Sequence, residues 1–218
     1  MKENRRNWYL KRNKLIIIGS GGHGKVIADI AIQTQEWENI YFLDDQEIGP
    51  VMGISVVGKM NEYHKYIKSH YFIVGIGNNS IREKIVNELN NSHAKFATII
   101  HPNACIGSDV IINHGTVIMA GSIINSSTRI GHHSIINTGA NVDHDNLIMN
   151  FVHISPGVNL AGGVKVGTKT WLGIGSSVIN NIDIHSNCII GAGSVVIHNI
   201  IIEGTYVGSP AKLIRKNS

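Results

Sequence analysis

From Ile100 to Ile202 an aliphatic residue returns at every sixth position, eighteen times without a break: Ile100, Ile106, Ile112, Ile118, Ile124, Ile130, Ile136, Val142, Ile148, Ile154, Leu160, Val166, Leu172, Val178, Ile184, Ile190, Val196 and Ile202. Four residues after most of them stands a small or β-branched residue, as at Ala104, Val110, Thr116, Ser122, Thr128, Ser134, Ala140, Val152, Val158, Thr170, Ser176 and Cys188. Inward side chains at the first and fifth places of a six-residue unit require a short strand followed by a two-residue corner. Three such units close a triangular coil, and coils stack by strand hydrogen bonding at roughly 4.8 Å each, giving a prism on the order of 27 Å tall. The expected architecture is a parallel β-helix.

The chain ahead of this prism follows a different rule. Leu15 to Ile18 is an aliphatic run leading into Gly19-Ser20-Gly21-Gly22-His23-Gly24-Lys25, followed by a helical pattern through Val26, Ile27, Ile30 and Ala31. A G-x-G-x-x-G loop between a strand and a helix lets backbone approach a phosphate, and the helix N-terminus offers free N–H groups. Val26 stands where a Walker A loop needs Ser or Thr for magnesium, which excludes that motif. A second strand from Ile40 to Leu43 ends in Asp44-Asp45, about twenty residues past the glycines, where a dinucleotide fold places a carboxylate for a ribose hydroxyl. A third, Tyr71 to Val74, ends in Gly75-Ile76-Gly77-Asn78-Asn79, and a helix with Ile81, Ile85, Val86 and Leu89 inward follows it. The segment is too short for two mononucleotide-binding halves, which argues against a full nicotinamide dinucleotide site; a nucleotide-linked ligand is expected instead, with glycines serving only as tight turns the plain alternative.

Composition narrows the class. The 218 residues are 43% hydrophobic, with two widely separated cysteines, Cys105 and Cys188, and neither a signal peptide nor a membrane span is evident, so a cytoplasmic protein with free thiols is expected. The net charge of +4 owes much to Lys2, Arg5, Arg6, Lys11, Arg12 and Lys14. Such a short basic run is read as a disordered extension rather than a nucleic-acid or membrane contact. The expected division is 1–13 as extension, 14–97 as the α/β domain and 98–218 as the β-helix.

On the outside of the prism, Val117, Ile135, His153, Trp171 and Ile189 recur every three units and form one column, too apolar for a solvated face and expected to be covered by another copy of the chain. Most of the 12 histidines are assigned to solvent, including His114, His132 and His133 at corners. His144 differs because Asp143 and Asp145 flank it; a carboxylate on one imidazole nitrogen fixes the tautomer and raises the basicity of the other, as a general base requires. Spacing alone leaves catalysis and a surface role both open. Three units on, Gly162-Gly163 forms a glycine corner stacked on that of His144, with room for a substrate and an N–H to meet an oxyanion.

The loop Gly19 to Lys25, Phe42-Leu43-Asp44-Asp45, Ile76-Gly77-Asn78-Asn79-Ser80-Ile81-Arg82, Val142-Asp143-His144-Asp145 and Val207-Gly208-Ser209-Pro210-Ala211-Lys212 together resemble the bacterial sugar O- and N-acetyltransferases of the sialic acid O-acetyltransferase type, particularly those acting on UDP-4-amino sugars. The resemblance covers the chain from about Lys14 onward. It implies an α/β Rossmann-like domain binding a nucleotide sugar, followed by a left-handed parallel β-helix that forms a homotrimer and holds acetyl-coenzyme A, with no metal. It makes His144 the base and Asp145 the group that increases its basicity. It puts Gly21, Gly22, His23, Asp44, Asp45 and Gly77 on the nucleotide sugar, and His153, Gly162, Ile174 and Asp183 along acetyl-coenzyme A. The acid after the histidine is Asp, which O-acetylating members also carry, so the resemblance leaves amine and hydroxyl acceptors open.

The expected reaction is direct transfer, the acceptor attacking the thioester while His144 takes its proton and the Gly162 N–H holds the oxyanion. Two other classes compete: a zinc hydratase of the γ-carbonic anhydrase kind, which builds a histidine site on a similar prism, and a non-catalytic sensor of nucleotide sugars.

Overall fold

The computed structural model describes residues 13–46 and 49–216. Most of the basic extension, residues 1–12, lies outside them; Asn13 already belongs to the first strand and pairs with Trp37.

The front domain is a four-stranded parallel sheet of β1 (Asn13–Ile18), β2 (Trp37–Leu43), β3 (His70–Val74) and β4 (Lys95–Phe96), in the order β2-β1-β3-β4. Helix α1 (Gly22–Thr34) connects β1 to β2, and α2 (Asn79–Asn91) connects β3 to β4. Leu15, Ile16, Ile17 and Ile18 are all buried because β1 is central and covered on both faces. Strand order reverses between β1 and β3, so the loops after them open a crevice at the carboxyl edge.

From Ile99 the chain winds as a left-handed parallel β-helix. One face stacks Ile99–Ile100, Val117–Ile118, Ile135–Ile136, His153–Ile154, Trp171–Leu172 and Ile189–Ile190; a second runs from Cys105–Ile106 to Val195–Val196, and a third from Ile111–Ile112 to Asp183–Ile184. The core is the predicted ladder, with Ile118, Ile136, Val142, Ile154, Leu172 and Ile190 at or near zero exposure. Each such burial contributes about 1.5–3 kcal/mol. Corners repeat a left-handed residue every sixth position, including Asp109, Ser127, His133, Asp145, Phe151, Gly163, Lys169 and Asn181. Corner carbonyls directed into the core are met by inward hydroxyls: Thr116 donates to Gly131, Thr128 to Asp143, Ser134 to Met149 and Thr170 to His185.

The period ends one unit earlier than the sequence implies. Ile200, not Ile202, pairs with Ile184, and Thr205 pairs with Ile189. The last turn is two residues short, leaving Ile202 exposed, and a hairpin of Thr205–Val207 and Lys212–Arg215 closes the prism.

Two further expectations are corrected by the docking of the front domain. Val117 and Ile135 are buried against Ile27, Ala28 and Ala31 of this same chain, so the lower part of the apolar column is covered internally and not by another copy. Trp171 and Ile189 above them stay exposed. On α2, Val86 and Leu89 are buried as expected, but Ile81 faces solvent and Arg82 is buried in its stead, because the helix packs against polar corner carbonyls of the prism as well as against its own sheet.

Candidate active site

The glycine loop, the end of β2 and the end of β3 converge on a cavity of about 410 Å³ lined by Gly21, Gly22, His23, Asp44, Asp45 and Gly77, all six of the residues predicted there. Helix α1 starts at this cavity with Gly21 as its N-cap, without a side-chain cap and without an acidic residue in its first turn, so its leading N–H groups and positive dipole end face the opening. Gly24 is there for packing: a Cβ would lie 2.0 Å from the Gly19 carbonyl oxygen, whereas Gly21 and Gly22 have open space. The Asp44 carboxylate accepts from the Ser20 N–H and hydroxyl at 2.7 and 2.8 Å and from Gln46 N–H at 2.8 Å, holding the loop in shape. Asp45 accepts from the Met60 N–H.

A second cavity, of about 600 Å³, adjoins it at Gly77 and runs up the first prism face past Asn79, His153, Lys169, Trp171 and Ile189. His153 lies 6.4 Å, ring to ring, from His23 and stacks on Trp171. Its Nδ1 faces the Gly77 carbonyl at 3.3 Å and its Nε2 faces the Asn137 amide at 3.2 Å, which fits a neutral ring donating from Nδ1 and accepting at Nε2. Burial, helped by the Arg82 charge, pushes the His153 imidazole down to about 4; burial also pushes His23 down to about 3, with smaller contributions from His153 and Arg82. Both are neutral near pH 7.

Arg82 clamps this junction and was not singled out from the sequence. It is 1% exposed and donates to the carbonyls of His133, Ile76, Gly77 and Phe151 and to the Asn79 amide oxygen. One guanidinium thus ties the Gly77 loop to two prism corners. Asn79 adds a bond to the Lys169 carbonyl, and Lys169 pairs with Glu83 at 2.9 Å. His133, assigned to solvent from its corner position, is buried between Phe96 and Phe151, with His114 and His132 beside it; the front domain covers this corner.

His144 projects from the corner between the second and third faces. Its Nδ1 is 2.8 Å from Asp145 Oδ2 and its backbone N–H donates to Asp143. Asp145 has φ 57°, a left-handed conformation that Asp tolerates better than most residues, and this bend turns its carboxylate back onto the ring. The Asp145 hydrogen bond, reinforced by the charge of Asp143, raises the imidazole above its ordinary value. The ring lies over Gly162, so the space of that glycine corner is taken by the imidazole itself. The Gly163 N–H donates to the His144 carbonyl.

The residues predicted along acetyl-coenzyme A are not gathered in one chain. His153 is on the first face, Gly162 at the corner between the second and third, Ile174 exposed at the corner between the first and second, and Asp183 on the third, 3.6 Å from Lys165. Among the described residues no group of His, Cys, Asp and Glu is arranged to hold a metal ion.

A crevice at the carboxyl edge of a parallel sheet thus stands beside a hexapeptide prism that displays a His-Asp pair. The PglD N-terminal domain family matches residues 14–89. Over 108 residues the chain is 40% identical to UDP-N-acetylbacillosamine N-acetyltransferase of Bacillus subtilis (strain 168), a match covering 48% of this chain and about half, 50%, of that relative. Along nearly its whole length it superposes on the acetyltransferase domain of PglB from Neisseria gonorrhoeae FA1090 in complex with acetyl coenzyme A, with a TM-score of 0.91, 35% identity and coverage of 94% of this chain and 100% of that one. A mutant of perosamine N-acetyltransferase from Caulobacter crescentus in complex with CoA and GDP-perosamine superposes with a TM-score of 0.89, 33% identity and coverage of 95% and 99%. The chain belongs to the sugar N-acetyltransferases of the hexapeptide-repeat type.

Proposed function

We propose that this protein transfers acetyl from acetyl-coenzyme A to an amino group on a nucleotide-linked sugar, for glycan or exopolysaccharide synthesis. The observation that carries the reading is the His144–Asp145 pair, with Nδ1 committed to the carboxylate and Nε2 left to accept a proton. The cavity at α1 receives the nucleotide diphosphate, with UDP the favoured carrier. The sugar amine attacks the thioester carbonyl carbon as His144 Nε2 takes its proton. The Gly162 N–H stabilises the oxyanion, and collapse expels the thiolate of coenzyme A.

Because His144 and His153 lie on opposite sides of one prism, a ligand touching both sits between two chains, and a homotrimer supplies three such clefts. The exposed Trp171 and Ile189 then border the cleft rather than fill a solvated face. The two free thiols and the use of acetyl-coenzyme A favour the cytoplasm; no helix among the described residues is long and apolar enough to cross a membrane.

Incubation with acetyl-coenzyme A and a panel of UDP- and GDP-linked 4-amino sugars should yield one product heavier by a single acetyl group in the mass spectrum. Release of coenzyme A without sugar acetylation, or no turnover with any amino sugar, contradicts the reading. Co-expressed His144→Ala and His153→Ala chains should recover activity beyond either parent; mixed trimers without recovery contradict a site shared between chains.

A further inference from the structure

Asn146 occupies the fifth place of its unit, the inward position held by Thr116, Ser122, Thr128 and Ser134 in other units and by Ala140, Val152, Val158 and Val164 in others. The prism therefore does not require a hydrogen-bond donor at this place. Asn146 is 1% exposed, and an amide buried there is costly unless every polar atom finds a partner. Its Nδ2 donates to the carbonyls of Asp143 at 2.6 Å and Ala161 at 3.1 Å, with a longer contact to that of His144 at 3.4 Å; its Oδ1 accepts from the Val164 N–H at 3.0 Å.

These partners are the two stacked corners of the candidate site. Asp143 and His144 belong to the corner that displays the imidazole. The Ala161 carbonyl belongs to the peptide whose other end is the Gly162 N–H. That peptide is trans, the cis bond among the described residues being Ser209-Pro210, so drawing its carbonyl inward to Asn146 turns its N–H outward. Outward is where the His144 ring lies over Gly162.

We propose that Asn146 is a positioning residue that holds the Ala161–Gly162 peptide in register with the His144 corner, so that base and oxyanion donor address the same thioester carbonyl. The proposal rests on the reading of His144 as base and the Gly162 N–H as oxyanion donor. A hydroxyl donates one hydrogen, so Ser122 shares its single hydrogen between the two equivalent carbonyls, of Met119 and Asn137; an amide nitrogen donates two, and Asn146 gives one to each corner. Asn146 itself touches no reacting atom.

The test assays purified Asn146→Val, Asn146→Thr and His144→Ala with the same UDP-linked amino sugar and acetyl-coenzyme A, alongside thermal unfolding. Asn146→Val should fold, since other units carry Val there, and lose about 10–100-fold in kcat with KM for both substrates within about two-fold. The pH midpoint of kcat/KM should not move, because the His144–Asp145 bond remains. Asn146→Thr retains one donor and should recover part of the loss. An inactive His144→Ala beside a wild-type kcat in Asn146→Val overturns the role of Asn146 alone; an active His144→Ala overturns the underlying reading. Should Asn146→Val fail to fold, Asn146→Thr decides, a lowered kcat at unchanged KM supporting the proposal and a wild-type kcat overturning it.

Discussion

The imidazole of His144 occupies the volume that a side chain at position 162 would fill: a Cβ on Gly162 would lie 2.5 Å from Cε1 and 2.6 Å from Nε2. No rotation at residue 162 relieves that contact, so Gly162→Ala must displace the ring. We expect a fall of about 10²-fold in kcat with a small change in melting temperature, since the corner is open to solvent and the ring can swing outward. Steady-state kinetics with a melting curve checks it; unchanged kcat would mean that the ring position is not used.

The pH dependence follows from Asp145. A general base acts in its neutral form, so kcat/KM should drop as pH falls through the His144 pKa, which the Asp145 hydrogen bond raises above the ordinary imidazole value. Asp145→Asn removes that carboxylate. The acid limb should then move to lower pH while the plateau rate declines, because the weaker base takes the proton less readily. A pH–rate profile of the two proteins measures both effects, and a limb that stays in place would exclude Asp145 as the cause.

Two glycines of one loop should behave oppositely. Gly22 borders the cavity proposed to take the nucleotide and has open space around its Cα, so Gly22→Val should fold normally and raise KM for the nucleotide sugar without changing KM for acetyl-coenzyme A. Gly24→Ala meets the Gly19 carbonyl at 2.0 Å and should cost on the order of 1–3 kcal/mol of stability. Denaturation curves and substrate titrations separate the two; equal damage to both KM values by Gly22→Val would contradict the division of labour between the domains.

Arg82→Met leaves the carbonyls of His133, Ile76 and Phe151 without their donor inside a buried junction, and that of Gly77 with His153 in place of two donors. A loss of about 3–5 kcal/mol is expected in chemical denaturation, since each buried acceptor left unsatisfied costs about 1–3 kcal/mol and relaxation recovers part of that. Protease sensitivity should rise first around Gly77, whose carbonyl also receives His153.

The sequence by itself determined the prism and the edge of the front domain at which its loops gather. A six-residue period admits one inward set, and glycine-rich and acidic loops at three strand ends fall on one edge of a parallel sheet; the family resemblance, not the pattern, named Gly21, Gly22, His23, Asp44, Asp45 and Gly77, and all six line the cavity at that edge. The sequence set Asp143 and Asp145 on either side of His144, but the left-handed corner at Asp145 decides that its carboxylate meets the ring while that of Asp143 meets the backbone N–H. The tertiary structure decided what lies against each outward face. Periodicity states that Val117 and Ile135 point out but not that α1 covers them. It marks position 82 as one helix place among others, while its partners His133 and Phe151 stand 51 and 69 residues away. It also ran one unit too far, to Ile202, since an aliphatic residue at the expected spacing looks the same whether or not the coil is still closing. Asn146 broke the inward pattern of small and β-branched residues, and only the packed corners show that its amide replaces an apolar contact with bonds to the carbonyls beside His144 and Gly162. Contacts between residues close in sequence are fixed by local geometry, whereas contacts across the fold depend on which of several possible faces the front domain covers.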